Sequence, residues 1–258
     1  MGSMSAASVR CYAAALQTRT LIVDLDERHL PLRHSHHRYR IDGPNGVQTL
    51  TIPLVGSTNN MMTPLKDVLI SEHGDWRRLH WGALFSAYGR SPYFDYAADD
   101  LSRVIHGSQR YLHEFNRELH EVIVDFMDLD METLYIEGSR VPQDAIDLRG
   151  RIGTKKADTL PIANVPYYQM WTGSDAFRSD LSILDLMMNM GREGIFTLLK
   201  MAQRKINGGM HEVEDLAKAA GLAVVFDHTA PTFYRVSLED RRKLIKKIKV
   251  QASLLRPS

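Results

Sequence analysis

Apolar residues recur along this chain at two spacings, and the spacing assigns most of the elements. Thr20-Leu21-Ile22-Val23-Asp24 is a short apolar run of strand length ending in a carboxylate. Gln48-Thr49-Leu50-Thr51-Ile52 alternates with period two, and Asp42-Gly43-Pro44-Asn45-Gly46 is a strong turn that joins it to Tyr39-Arg40-Ile41 as a hairpin. Thr133-Leu134-Tyr135-Ile136 reads as a further strand that returns to the sheet. Helical spacing takes over after Gly74, where Asp75 is placed to cap. Trp76, Leu79, Ala83, Leu84 and Ala87 fall on one face, and Trp81, Phe85 and Tyr88 on a second, which predicts a helix buried on both sides until Gly89 ends it. Residues 99–127 show one long helical stripe, with Gly107 as a kink or split and His113 and His120 on the solvated sides. Asp180 is placed to cap, and Gly191 to end, another apolar helix, and residues 194–204 continue as a helix.

The fold class predicted is α/β in the mixed α+β sense: a small mixed sheet covered by helices, with a C-terminal helical appendage. Residues 1–4 read as an expression scar with Met4 as natural start, 5–206 as the α/β domain, and Asn207-Gly208-Gly209 as the boundary. Residues 210–258 read as a helix, a short strand at 223–226, a turn at Pro231 and a basic amphipathic helix at 237–255.

Composition adjusts this picture only modestly. A length of 258 residues, with 44% hydrophobic and 24% charged, suffices for a sizeable core. With 32 basic against 31 acidic residues there is no global field for nucleic acid or an anionic membrane. A single cysteine, Cys11, excludes an internal disulfide and fits a reducing, cytoplasmic setting. No apolar run reaches the roughly 20 residues of a membrane span.

Chemistry concentrates in a few places. His80 lies one turn after Trp76, and serves either as a core histidine bonded to a backbone carbonyl or as a site residue. His34, His36 and His37 with Arg33, Arg38 and Arg40 form a cationic stretch suited to an anion, with a metal site as the alternative. Asp24 and Asp26 end the first strand, and residues 56–64 form a polar loop, either a lid or a plain connector. Asp147, Arg149, Arg151, Lys155 and Lys156 make a second charged cluster. Pro166-Tyr167-Tyr168-Gln169-Met170-Trp171 reads as an aromatic strand able to stack a sugar or base while Gln169 bonds a hydroxyl, or simply to pack. Asp185 and Asn189, four apart, share a face of an otherwise apolar helix with Ser182 nearby. A carboxylate there needs a partner, and the expected one is His80 or Arg38. Gly-rich phosphate loops, Gly-x-Ser-x-Gly, His-Glu-x-x-His and Cys-x-x-Cys are all missing, and no cofactor is named by the sequence.

Several separated pieces, in order, carry a resemblance: Arg38-Tyr39-Arg40-Ile41 with Gly43 and Asn45-Gly46, Thr51-Ile52-Pro53, Trp76-Arg77-Arg78 with His80-Trp81, Tyr167-Tyr168-Gln169, and residues 181–186 followed by Asn189 and Gly191. Together they resemble the WbqC-like family of bacterial proteins, found with surface-polysaccharide genes and presumed to be transferases. The family's Tyr/Pro-rich opening and its Gln-Lys pair have no clean counterpart at residues 8–13 and 29–33. What the resemblance implies is an enzyme of polysaccharide or lipopolysaccharide biosynthesis that transfers an acyl or aminoacyl group to an amino sugar. In that reading His80 is the general base and Asp185 orients it, while Arg38 and Arg149 hold an anionic donor. Trp76, Tyr168, Gln169 and Asn189 contact the substrate. The expected partner is then a small molecule such as a nucleotide sugar. The alternative is a non-catalytic module that only binds a sugar nucleotide or a protein, and a third reading gives the last helix a nucleic acid.

Overall fold

Local periodicity and long-range stitching together build the first of two units into which the chain divides, residues 1–208 and 209–258. A computed structural model describes residues 3–28, 36–56, 63–138, 145, 147–149, 162–172, 177–203, 226–227 and 230–231. Helix α1 (Val9–Leu16) leads into β1 (Thr20–Asp24), followed by the hairpin β2 (Arg38–Gly43) and β3 (Gly46–Thr51). Helices α2 (Trp76–Tyr88), α3 (Phe94–Ile105) and α4 (Leu112–Phe126) come next, then β4 (Glu132–Ile136), α5 (Ile183–Met190) and α6 (Gly194–Gln203). In the second unit the described residues form one short antiparallel pair, β5 (Phe226–Asp227) with β6 (Ala230–Pro231).

The class is mixed α+β, with both parallel and antiparallel strands, and these divide between separate two-stranded sheets. β1 and β4 pair in parallel from Thr20 opposite Glu132 to Asp24 opposite Ile136, while β2 and β3 are antiparallel and close at Gly43 opposite Gly46. At the hairpin the glycine alone uses its conformational freedom: Gly46 takes φ +94°, whereas Asn45, in the two-residue loop with Pro44, does not take a positive φ. Phe115, Tyr88, Ile41, Ile52, Leu84 and Leu119 are fully buried between the helices and the hairpin.

The start of α5 fastens three elements at once. Val9 N–H donates to the Leu181 carbonyl, Ile183 N–H to that of Ala7, and Ser182 N–H to that of Arg40. The cap of α5 is Ser182, whose hydroxyl accepts from Leu184 N–H; Asp180, expected in that role, instead adopts φ +60° and pairs with Arg10. Asp75 likewise makes no side-chain cap on α2 and pairs with Arg78.

Several other expectations need correcting. α2 is buried along Trp76, His80, Leu84, Ala87 and Tyr88, so it is one-sided: Leu79 and Phe85 are each 61% exposed. The stripe over 99–127, by contrast, is split around Gly107, one of the two expected outcomes, with Arg77 of α2 donating to the Ile105 carbonyl at the end of α3. His120 is not solvated, since it bonds Tyr12 and Thr133 through its two nitrogens. Residues 166–171 form no strand ladder and are held by side-chain bonds. His34, residues 57–62, Arg151, Lys155, Lys156 and the basic helix at 237–255 lie outside the described residues.

Gly191 ends α5 at φ +54°, ψ −138°, a region that glycine alone occupies comfortably, and a methyl there would run into the Tyr93 ring. Gly191→Ala is therefore expected to destabilise the fold by roughly 2–3 kcal/mol or more. Urea unfolding checks this as a lower midpoint with an unchanged slope.

Candidate functional site

A carboxylate on an apolar helix must find donors, and Asp185, 1% exposed, finds them on three different segments. Tyr88, the last residue of α2, donates its hydroxyl to Oδ1 at 3.0 Å. Tyr167 donates to Oδ2 at 2.7 Å, and Gln169 Nε2 to the same oxygen at 3.1 Å. Asn189, one turn on, gives Nδ2 to the Asp185 backbone carbonyl at 2.8 Å and to Oδ1 at 3.4 Å, while its own Oδ1 accepts from Met170 N–H. The expected partner, His80 or Arg38, is in neither place. Neutral hydroxyls and amides hold the charge instead, so burial still raises the Asp185 pKa, with nearby Asp42 pushing the same way and the bonds from Tyr167, Tyr88 and Gln169 opposing.

Asp42 joins this network through Tyr88, whose hydroxyl accepts from the Asp42 backbone N–H at 3.3 Å. Its carboxylate is 0% exposed; Oδ1 is bonded to Arg178 Nη1, while Oδ2 has no hydrogen-bond partner among the described residues. Gln169 ties Arg178 in as well, accepting from its backbone N–H at 3.0 Å and donating to its carbonyl at 2.9 Å. Between clamped Tyr167 and Gln169, Tyr168 points outward and is 58% exposed.

His80 belongs to a different group. A carbonyl can only accept, so Nε2–H donates to Thr51 O at 3.1 Å, leaving Nδ1 to accept the Tyr39 hydroxyl at 3.0 Å. The ring is 4% exposed, edge-on to Trp76 with centroids 5.0 Å apart. Its only lone pair is therefore occupied, and it fastens the hairpin to α2. Trp76 is 5% exposed under Phe115, His80 and the Arg77 guanidinium, so its face is closed to a ligand. Arg149 is spent on carboxylates: two nitrogens on Asp147, and Nη1 on Asp24 at the end of β1, at 2.8 Å. Arg38 opens β2 opposite Thr51, half-buried. Of the residues expected at a site, Asp185, Gln169 and Asn189 are thus bonded together with Tyr168 beside them in the chain, and His80, Trp76, Arg149 and Arg38 are not among the groups that bond the Asp185 carboxylate.

Tyr88, Asp42 and Arg178 are additions that sequence reasoning missed. Asp42 reads as a turn residue and Tyr88 as an apolar one, and Arg178 stands in no pattern. Among the described residues no group of three or more His, Cys, Asp or Glu could hold a metal ion.

Burial lowers the His80 pKa from 6.5 to about 4, helped by Arg77 and opposed by the Thr51 bond. Between those values the unfolded chain binds a proton that the folded chain refuses, so stability is full above pH 6.5 and falls as pH drops toward 4. The contribution of His80 is of order 3 kcal/mol. His120, lowered to about 4 by burial, adds to the same slope. His80→Gln keeps a donor for Thr51 and an acceptor for Tyr39, and is expected roughly to halve the acid-side slope in chemical denaturation measured from pH 7 to 4.5.

No curated protein and no solved structure matches this chain. A model of the WbqC-like protein family matches residues 12–152, a span that contains Asp42, His80 and Tyr88 but ends before Tyr167 and Asp185. That match covers more than half of the 258 residues, and the chain belongs to the WbqC-like protein family.

Proposed function

We propose that this chain works in surface-glycan biosynthesis, holding a sugar against Tyr168 as the acceptor for transfer of an acyl or aminoacyl group. Membership of the WbqC-like family is consistent with a role related to polysaccharide biosynthesis. The observation that carries the reading is the way Tyr168 is presented. Tyr167 and Gln169 both bond the buried Asp185 carboxylate, so the ring between them is turned to solvent and 58% exposed. An aromatic face held in place from both sides suits the apolar face of a pyranose, and its position is fixed before the ligand arrives.

A second reading is favoured by a specific observation. His80 has its lone pair occupied, and the Cys11 thiol is fully buried, with its pKa pushed up by burial to about 11. Neither is poised as base or nucleophile, which favours a module that holds a sugar nucleotide without turning it over.

Titration with nucleotide sugars tests the shared part of both readings. Tyr168→Ala is expected to weaken binding by about fivefold, the worth of one aromatic contact, with Tm unchanged because the side chain is exposed. Unaltered affinity in that variant would refute the sugar platform. Incubating the wild-type chain with acyl donors and nucleotide amino sugars then separates the readings: a mass gain on the sugar amine supports transfer, and binding with no product supports the module.

A further inference from the structure

We propose that Asp42, joined to Asp185 through the Tyr88 hydroxyl, forms a subsite for a primary ammonium group, which takes over the place now held by the Arg178 guanidinium. Two buried carboxylates share this part of the core; Arg178 is bonded to Asp42, and Asp185 has no cation bonded to it among the described residues. An arginine fork ordinarily grips both oxygens of a carboxylate. Here it reaches Oδ1 alone, and Oδ2, on a side chain with no exposure, has no partner among the described residues. A buried anionic oxygen without a donor is costly, and the natural remedy is a charged donor aimed at it.

The chemistry selects the class of donor. A hard divalent cation requires six or more oxygens, and both Asp185 oxygens already accept from side chains. An ammonium group asks for one carboxylate and neutral acceptors around it, which is what Asp42 and the tyrosine oxygen supply. Arg178 is the movable component, since its side chain is 36% exposed while that of Asp42 is sealed. Gly46 leaves room beside it: a Cβ there would stand 3.8 Å from Arg178 Nη1. The same glycine lines a hollow between the hairpin and α2, with Asn45, Gln48, Ala83 and Ser86. Exchange of one cation for another leaves the charge of the core unchanged. That the ammonium belongs to an amino sugar rests on the sugar-binding reading above, whereas the ammonium subsite itself does not.

Thermal unfolding in ethylammonium chloride, set against potassium chloride at equal ionic strength, reads the subsite without any sugar. An ammonium-specific rise in Tm is expected, abolished by Asp42→Asn and enlarged by Arg178→Gln, which removes the competing cation. No such rise, or one that survives Asp42→Asn, overturns the proposal. Should Asp42→Asn fail to fold, Arg178→Gln decides, and a rise no larger than that of the wild type overturns it. In a second arm, glucosamine is expected to bind roughly tenfold tighter than glucose. Asp42→Asn should erase that ratio, whereas Tyr168→Ala should weaken both sugars and leave the ratio intact. Both sugars bound without preference would overturn the assignment of the ammonium to an amino sugar and keep the sugar platform. An ammonium effect with neither sugar bound would support the subsite and overturn the platform.

Discussion

Burying the Asp185 carboxylate inside an apolar helix is the constraint from which the arrangement of this part of the molecule follows. A charge removed from water is tolerated only when its lone pairs are occupied, and each bond to such a charge contributes roughly 1.5–3 kcal/mol. Asp185 therefore gathers the end of α2 through Tyr88, the irregular segment at 162–172 through Tyr167 and Gln169, and its own next turn through Asn189. Segment 162–172 pairs with no strand among the described residues, so these side chains are what give it a position. Because the donors are hydroxyls and amides, the negative charge is held without being cancelled. An ion pair would have produced a quieter core, with less electrostatic pull on an incoming cation.

α2 works as a ruler along this arrangement. Trp76, His80, Leu84 and Tyr88 repeat every four residues on its buried face. The imidazole at one position fixes Tyr39 and Thr51, and the phenol two turns later fixes the Asp42 backbone and Asp185. The hairpin is thus attached to the same helix at two points, by a neutral clamp near one end and by the acidic network near the other. Its register and the position of Asp42 are set together. Among the described residues the two strands of the hairpin form a ladder only with each other, and attachment to α2 and α5 supplies what a wider sheet would otherwise give.

Elements whose identity depends on neighbours in sequence are legible from the chain: β1, the Asn45-Gly46 hairpin, α2 between Gly74 and Gly89, and the i, i+4 meeting of Asp185 with Asn189. What escapes is set by distant partners. Periodicity places Leu79 and Phe85 on apolar faces, yet nothing in the sequence says that α2 has a neighbour on one side only. Asp180 looks like a cap until Arg10 claims it and Ser182 takes the role. The partner of Asp185 is missed for an instructive reason. A buried carboxylate suggests a cation, but two tyrosines and an amide satisfy it as fully, and tyrosines in an apolar run read as packing. Arg149 errs the opposite way: a cluster of cations suggests a free anion site, whereas the carboxylates of Asp147 and Asp24 already fill it.

The family match ends at residue 152, before most of the acidic network is reached. Asp42 and Tyr88 lie within the matched segment, and Arg178, Asp185, Tyr167 and Gln169 lie beyond it. The same division runs through the backbone, since the Arg40 carbonyl, inside the match, is satisfied by the Ser182 N–H beyond it. Cut at the end of the match, the chain would leave Asp42 without its guanidinium, Tyr88 without its acceptor and β2 without a neighbour on its outer edge. Asp42 and Tyr88 are then buried polar groups stripped of their partners, which costs more than a bond never formed. The matched segment is therefore one part of a cooperative unit, and residues 162–203 complete both its core and its candidate site.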